Sequence, residues 1–268
     1  MRRLFAVLSL LPSLVWAASP LGQIEALSAQ VSPFWQTLRP ACSMALEPKL
    51  QMAVAERLSF LDEHLIASEL NDSLSAQTKD RSNQWRSPVW AVREKLEKAA
   101  LQLDDRESLR EYFFKLQTQT PNPERSGLVA DIQYMSEHLN LALRKELWKT
   151  CHALGLSAIP VVQMETAVEQ HWLHQEEKVR LQVKRELAAF YFYSFRQTSN
   201  EQLQAFVDVA QPLTPWVDAT AVAISEHFAN LRAQLLQVPL TLTLDAEDEP
   251  FLEDRPWPAS PSQELLQP

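Results

Sequence analysis

Three glycines in 268 residues constrain this chain more than any motif it contains. An ordinary protein uses ~7 % glycine, much of it in tight turns and bulges whose backbone angles other residues resist. A chain that nearly dispenses with glycine reads as long helices joined without hairpins. The expected fold is all-α, a helical bundle or array.

Apolar spacing points the same way. Leu50, Val54, Leu58, Leu61 and Leu65 form one stripe, and Met164, Val168, Trp172, Val179, Val183, Leu187 and Phe190 form a longer one. Both have the three- and four-residue period of a helix that buries one face. Glu176, Glu177, Lys178, Lys184 and Arg185 fall between the apolar positions and suit a solvated side. Proline supplies the punctuation: Pro33, Pro40, Pro88, Pro121, Pro123, Pro160, Pro212 and Pro215 mark helix starts, ends or kinks. Between them the pattern predicts helices over 21–39, 45–76, 88–103, 105–118, 127–154, 161–196, 200–211 and 215–237.

The two ends differ from the body. Residues 1–17 carry Arg2 and Arg3, an apolar run from Leu4 to Trp16 and then small residues, the layout of a secretory signal peptide with cleavage expected after Ala17. The apolar run is shorter than the ~20 residues that cross a bilayer, and no later stretch is long enough, so no transmembrane segment is expected once the signal is removed. A periplasmic location follows. From Val238 onward Leu240 to Leu244 alternates with period two. Beyond it Asp245, Glu247, Asp248, Glu249, Glu253 and Asp254, with five prolines, read as a flexible acidic tail over 238–268, with Phe251 and Trp257 as anchors if it binds a partner. Losing Arg2 and Arg3 changes the balance from 25 basic against 34 acidic residues to 23 against 34, a net charge of −11. Such a balance argues against nucleic acid and anionic membranes, which reward basic patches.

Cys42 and Cys151 are the two cysteines. In an oxidising compartment an even count suggests one disulfide; two buried thiols are the alternative.

Two stretches repeat in order. Asp104-x-x-Glu107 and Thr198-x-x-Glu201 both have the spacing of a helix-capping box. At the same shift of 94 residues Leu109 matches Leu203, Tyr112 matches Phe206, and Thr120-Pro121 matches Thr214-Pro215. Ser136-Glu137-His138 then matches Ser225-Glu226-His227 at a shift of 89, as if five extra residues lay in a loop containing "NPERSG". Two related helical units of about 90 residues are therefore expected, placed at 18–154 and 155–237. The run "SFRQTSNEQLQAFVDVAQPLTPW", an aromatic helix end, a Thr-x-x-Glu cap, an apolar short helix and a Thr-Pro turn, resembles an uncharacterised family of secreted bacterial helical proteins known by a domain-of-unknown-function label. The resemblance covers about Val183 to Leu231 and implies an exported helical domain with no established activity.

Chemistry is harder to find. Neighbours on a helix point ~100° apart, so Ser136, Glu137 and His138 cannot act together as nucleophile, base and orienter. Neither a nucleophile elbow nor a phosphate-cradling glycine loop occurs, so no catalytic residue is assigned and the reading leans away from an enzyme. In "EQHWLHQEE", His171 and His174 stand three apart with Glu177 further along the same face, a partial ligand set for zinc or copper. The alternative is a pair of surface histidines flanking a buried Trp172. Phe190, Tyr191, Phe192, Tyr193 and Phe195 place five aromatics in six positions, more than one helix face holds; the surplus meets another helix, a partner or a ligand. The expected function is a non-enzymatic protein- or ligand-interaction module for an unknown envelope protein or small ligand, with a metal-binding protein as the alternative.

Overall fold

The computed structural model describes residues 20–43, 62–79, 87–100, 106–119, 121–155 and 161–237. They form α1 (Pro20–Ala29), α2 (Val31–Ser43), α3 (Glu63–Lys79), α4 (Pro88–Ala100), α5 (Arg106–Thr118), α6 (Pro123–Gly155), α7 (Val161–Ser194), α8 (Asn200–Ala210), a 3-10 turn at Gln211–Leu213 and α9 (Thr214–Gln237). No strand occurs among the described residues, and the all-α expectation holds. The expected signal peptide, the Leu240–Leu244 run, the acidic tail, the Asp104 cap and the part of the second helix that carries Leu50, Val54, Leu58 and Leu61 lie outside the described residues.

Three boundaries depart from the sequence pattern, each for a local reason. The expected helix over 21–39 is two helices with Gln30 between them. Pro33 explains the break, because its ring would strike the carbonyl four residues back in a continuous helix but is tolerated in a first turn. The long helix α6 begins at Pro123, four residues before its expected start. Asn122 caps it by accepting the amide of Glu124 at 2.9 Å, and Pro123 occupies the first helical position, where its missing N–H costs nothing. "NPERSG" is thus the opening of a helix and not a loop; Gly127 sits inside α6, where a Cβ would meet nothing within 4 Å. At α8 the capping box is shifted by one residue. Ser199 accepts the amide of Gln202 while the Gln202 side chain accepts the amide of Ser199. Thr198 is instead held in the preceding turn, its amide bonded to the carbonyl of Phe195 at 2.9 Å.

α6 is the spine. It packs against α7, α9, α8, α2 and α1. α7 runs antiparallel to it, with Arg125 on Phe195, Ser136 on Tyr191 and Arg144 on Glu186. α9 runs parallel to it, with His138 facing Asp218 and Glu146 holding Ser225 and Arg232. One apolar cluster joins α1, α2 and α3 to α6, α9 and the first half of α7 through Ile24, Trp35, Leu70, Leu143, Trp172 and Phe228. A second joins α4, α5 and α8 to the second half of α7 through Leu109, Leu187, Phe190, Phe195, Leu203 and Phe206. Each cluster draws on both sides of residue 155, so the division expected there does not separate two cores. The order helix, short helix, long helix occurs twice, as α4–α5–α6 and α7–α8–α9. The packing is reciprocal, since α5 lies on α7 while α8 lies on α4.

Cys42 and Cys151 are bridged, with Cα atoms 5.2 Å apart and a sequence separation of 109. The bond ties α2 to the last turns of α6. Both residues are buried, at 1 % and 0 % exposure.

Candidate functional site

Between α1, α4, α6 and α7 lies a string of polar side chains sealed inside the protein. Arg93 and Glu97, one turn apart on α4, are both fully buried and pair at 2.7 Å. Arg93 Nη2 also donates to the Tyr191 hydroxyl at 3.3 Å and to the carbonyl of Ile132 at 3.4 Å. Ser136 donates to Gln23 Oε1 at 3.0 Å, which leaves its oxygen to accept from the Tyr191 hydroxyl at 2.7 Å. The donors therefore run in one direction, from Arg93 through Tyr191 and Ser136 to Gln23. The guanidinium also lies 5.3 Å from the Trp90 ring and 5.6 Å from the Tyr191 ring, a cation–π arrangement that gains strength away from water. Burial pushes the Glu97 carboxyl above its ordinary range, with Arg93 opposing it only in part. Burial likewise pushes Tyr191 up to about 12. A phenol that keeps its proton is suited to relaying hydrogen bonds and unsuited to acting as a base.

Two more buried ion pairs flank the spine. Arg144 donates to Glu186 at 2.6 Å and lies 5.1 Å from the Phe34 ring. Glu146, 2 % exposed, accepts from Ser225 and from Arg232, each at 2.6 Å. These contacts link α6 to α7 and to α9. They fix the register of the packed helices, because a one-turn slip would leave charges buried without partners.

The five aromatics from Phe190 to Phe195 are all inside, at 8 % exposure or less. Tyr193 meets Tyr112 of α5 edge-on at 5.8 Å, and Phe195 meets Phe206 of α8 at 5.3 Å. The surplus over one helix face is taken up by neighbouring helices on several sides, so of the outcomes left open by the sequence the cluster takes packing against other helices.

His171 and His174 lie on α7 as expected, flanking a Trp172 that is 1 % exposed. Each Nδ1 faces a carbonyl of its own helix, Ala167 at 3.0 Å and Gln170 at 2.8 Å. The Glu177 carboxylate lies 3.4 Å from Arg180. Among the described residues no three His, Cys, Asp or Glu side chains are grouped to hold a metal. The fold instead brings His152 near His171. The His152 ring lies 3.9 Å from that of Trp148, and burial, reinforced by His171, lowers its pKa to about 3.

The two Ser-Glu-His stretches sit on the two long helices α6 and α9, in different surroundings. Ser136 is buried on Tyr191, whereas Ser225 bonds Glu146. His138 is half-exposed, 3.6 Å from Asp218 and stacked on Tyr134. His227 packs edge-on against Phe228, and its burial lowers its pKa against the pull of Glu69 on α3.

The described residues also form an open cleft that no sequence motif marks. It has a volume of about 570 Å³ and lies where the first turns of α6 and α8 meet; Glu124, Gly127, Leu128, Asp131, Glu201 and Gln204 line it, together with Asn200. Glu124 and Glu201 belong to first helical turns, where the helix dipole favours negative charge. Arg125, next to Glu124 in the chain, is turned to the carbonyls of Thr198 and Phe195. Asp131 follows Glu124 by two helical turns on one face, a spacing visible in the sequence but given meaning only by the arrival of α8.

No family model, curated protein or solved structure matches the chain.

Proposed function

We propose that the protein is an exported helical module that works by non-covalent contact with an envelope protein or small ligand, and not by catalysis. The observation that carries this reading is the cleft between α6 and α8. It presents three carboxylates and two amides around Leu128, while the strongly perturbed polar groups of the interior are tied to one another. Its charge suits a cationic partner. The buried disulfide supports an oxidising compartment, the periplasm in particular. No described helix is long and apolar enough to cross a membrane. The resemblance over Val183 to Leu231 points toward export as well.

Affinity capture from the native periplasm, with the wild type and with Glu124→Gln/Asp131→Asn/Glu201→Gln, tests the reading. A species held by the wild type at low salt and lost by the variant supports it. The same set held by both, or by neither, contradicts it.

Metal binding is the second reading, resting on His171 and His174 three apart on α7, with His152 close enough to feel the charge of His171. Elemental analysis of protein purified without a chelating tag decides it, and less than about 0.1 zinc or copper per chain rules it out. The repeated element order and the reciprocal packing of α5 and α8 support an internal duplication, with two of the five extra residues inside α6 ahead of Ser136 and three before its first residue. An experimental structure in which α4–α6 fails to superpose on α7–α9 in order would remove that inference.

A further inference from the structure

α7 carries an outward stripe that no described helix covers. Leu173 and Leu181 are 61 % and 43 % exposed, eight residues apart and so about 80° apart around the helix, within the width of one broad face. Between Lys178 and Arg185 the chain places four of its 25 basic residues, with no acidic residue among them, in a protein whose net charge is −9. Lys184 and Arg185 are exposed. The Lys178 ammonium is shielded from solvent without a hydrogen-bond partner among the described residues, and its desolvation lowers the pKa. Glu176 and Glu177 on the same stretch of α7 pair with Arg180, which leaves Lys184 and Arg185 as the exposed cations beside the two leucines.

The chain also holds a segment with the complementary chemistry. Residues 238–268 follow the end of α9, and Asp245, Glu247, Asp248, Glu249, Glu253 and Asp254 are interspersed with Phe251 and Trp257. The point of departure is favourable. Arg232 near the end of α9 reaches Glu146 and Thr150 of α6, and Lys145 and Lys149 from the same turns of α6 pair with Glu169 of α7. The α9 terminus and the first half of α7 therefore flank one stretch of the spine. From there Val238 to Leu244, extended, reach ~23 Å, enough to pass one helix diameter of ~10 Å. The acidic run that follows can extend over ~30 Å, against ~18 Å along the helix from Leu173 to Arg185.

We propose that the acidic segment from Asp245 to Trp257 docks on the outward stripe of α7 as an intramolecular strap, its carboxylates facing Lys184 and Arg185 and its apolar side chains covering Leu173 and Leu181. Ion pairs on an exposed helix are individually weak and screened by salt. The strap is therefore exchangeable, and an acidic segment of another protein would compete for the same stripe.

Carbodiimide cross-linking of the full-length protein at low concentration, followed by peptide mass spectrometry, tests this. The Lys149–Glu169 pair serves as an internal control. The expected result is links within the monomer from Lys184 to carboxylates of 245–254. Their yield should fall about fivefold at half-molar salt, and about threefold in Arg180→Glu/Arg185→Glu, which retains the reporter lysine. If the control link forms while the tail links only to other molecules, or to Lys95, Lys98 or Lys115, the strap is wrong. A yield indifferent to salt and to the charge reversal also overturns it.

Discussion

Truncating Glu97 to alanine isolates the most enclosed charge in the protein. Arg93 is fully buried, keeps its proton at any ordinary pH, and has Glu97 as its charged partner at 2.7 Å. Its remaining contacts, the Tyr191 hydroxyl, the Ile132 carbonyl and the faces of Trp90 and Tyr191, are polar or polarisable but neutral. Removing one member of a buried pair typically costs about 3–5 kcal/mol, because the other charge stays in a medium that solvates it poorly. At about 2–4 °C per kcal/mol for a body of this size, the melting temperature should fall by roughly 6–20 °C. Replacing both residues, as in Arg93→Met/Glu97→Leu, removes the uncompensated charge and should recover most of the loss. Urea unfolding followed by far-UV circular dichroism at neutral pH reads the difference through the midpoint, provided the slope is unchanged. A single substitution costing less than about 1 kcal/mol, or a double variant as unstable as the sum of its parts, would refute the reasoning.

Other consequences follow from the same interior. Substituting serine for Cys42 and Cys151 releases a closed loop of over a hundred residues and should cost about 5 kcal/mol in the chain-entropy account, measured again by urea midpoint. Because both cysteines are almost without exposure, thiol titration of native protein in mild reductant should show no reaction until the chain unfolds; rapid native-state reduction would contradict the burial. His152 is held neutral in the fold, its pKa lowered from 6.5 to about 3 by burial. Its contribution is present above pH 6.5 and is lost as pH falls toward 3, by a few kcal/mol (~3–5) in all. His152→Phe should flatten that part of the stability profile, and an unchanged profile would exclude the effect. Trp172→Ala should cost about 3–5 kcal/mol and Leu173→Ala less than about 0.5 kcal/mol, since their exposures are 1 % and 61 %; equal costs would contradict the assigned helix face.

The helices were legible because glycine scarcity and apolar period both report local geometry. Pairing of the cysteines was legible as a possibility from their even count, while only the approach of α2 to α6 shows that they bridge. The buried string was not legible, and α4 shows why. Arg93–Glu97 and Glu94–Lys98 are both oppositely charged pairs one turn apart, indistinguishable as sequence. In the fold one pair is 0 % exposed and the other 50 % for lysine and 32 % for glutamate. A signal was present in the recurrence of Trp90, Arg93, Glu97 and Ala100 on one face, since a charged pair in line with tryptophan and alanine is more readily explained by burial than by solvation. The aromatic run is too wide for one face on sequence alone, yet only the fold shows that α5 and α8 cover it. The cleft was beyond reach for the same reason: its two walls are some seventy residues apart in the chain.

The proposed working surface is the α6–α8 cleft, while the structural charges lie inside. Hydrogen exchange of the protein with and without its captured partner tests that division most directly. Protection on binding should appear at 124–131 and 200–204, with the buried segments of α4, α6 and α7 unchanged. Protection confined to other faces, or none within the cleft, would contradict it.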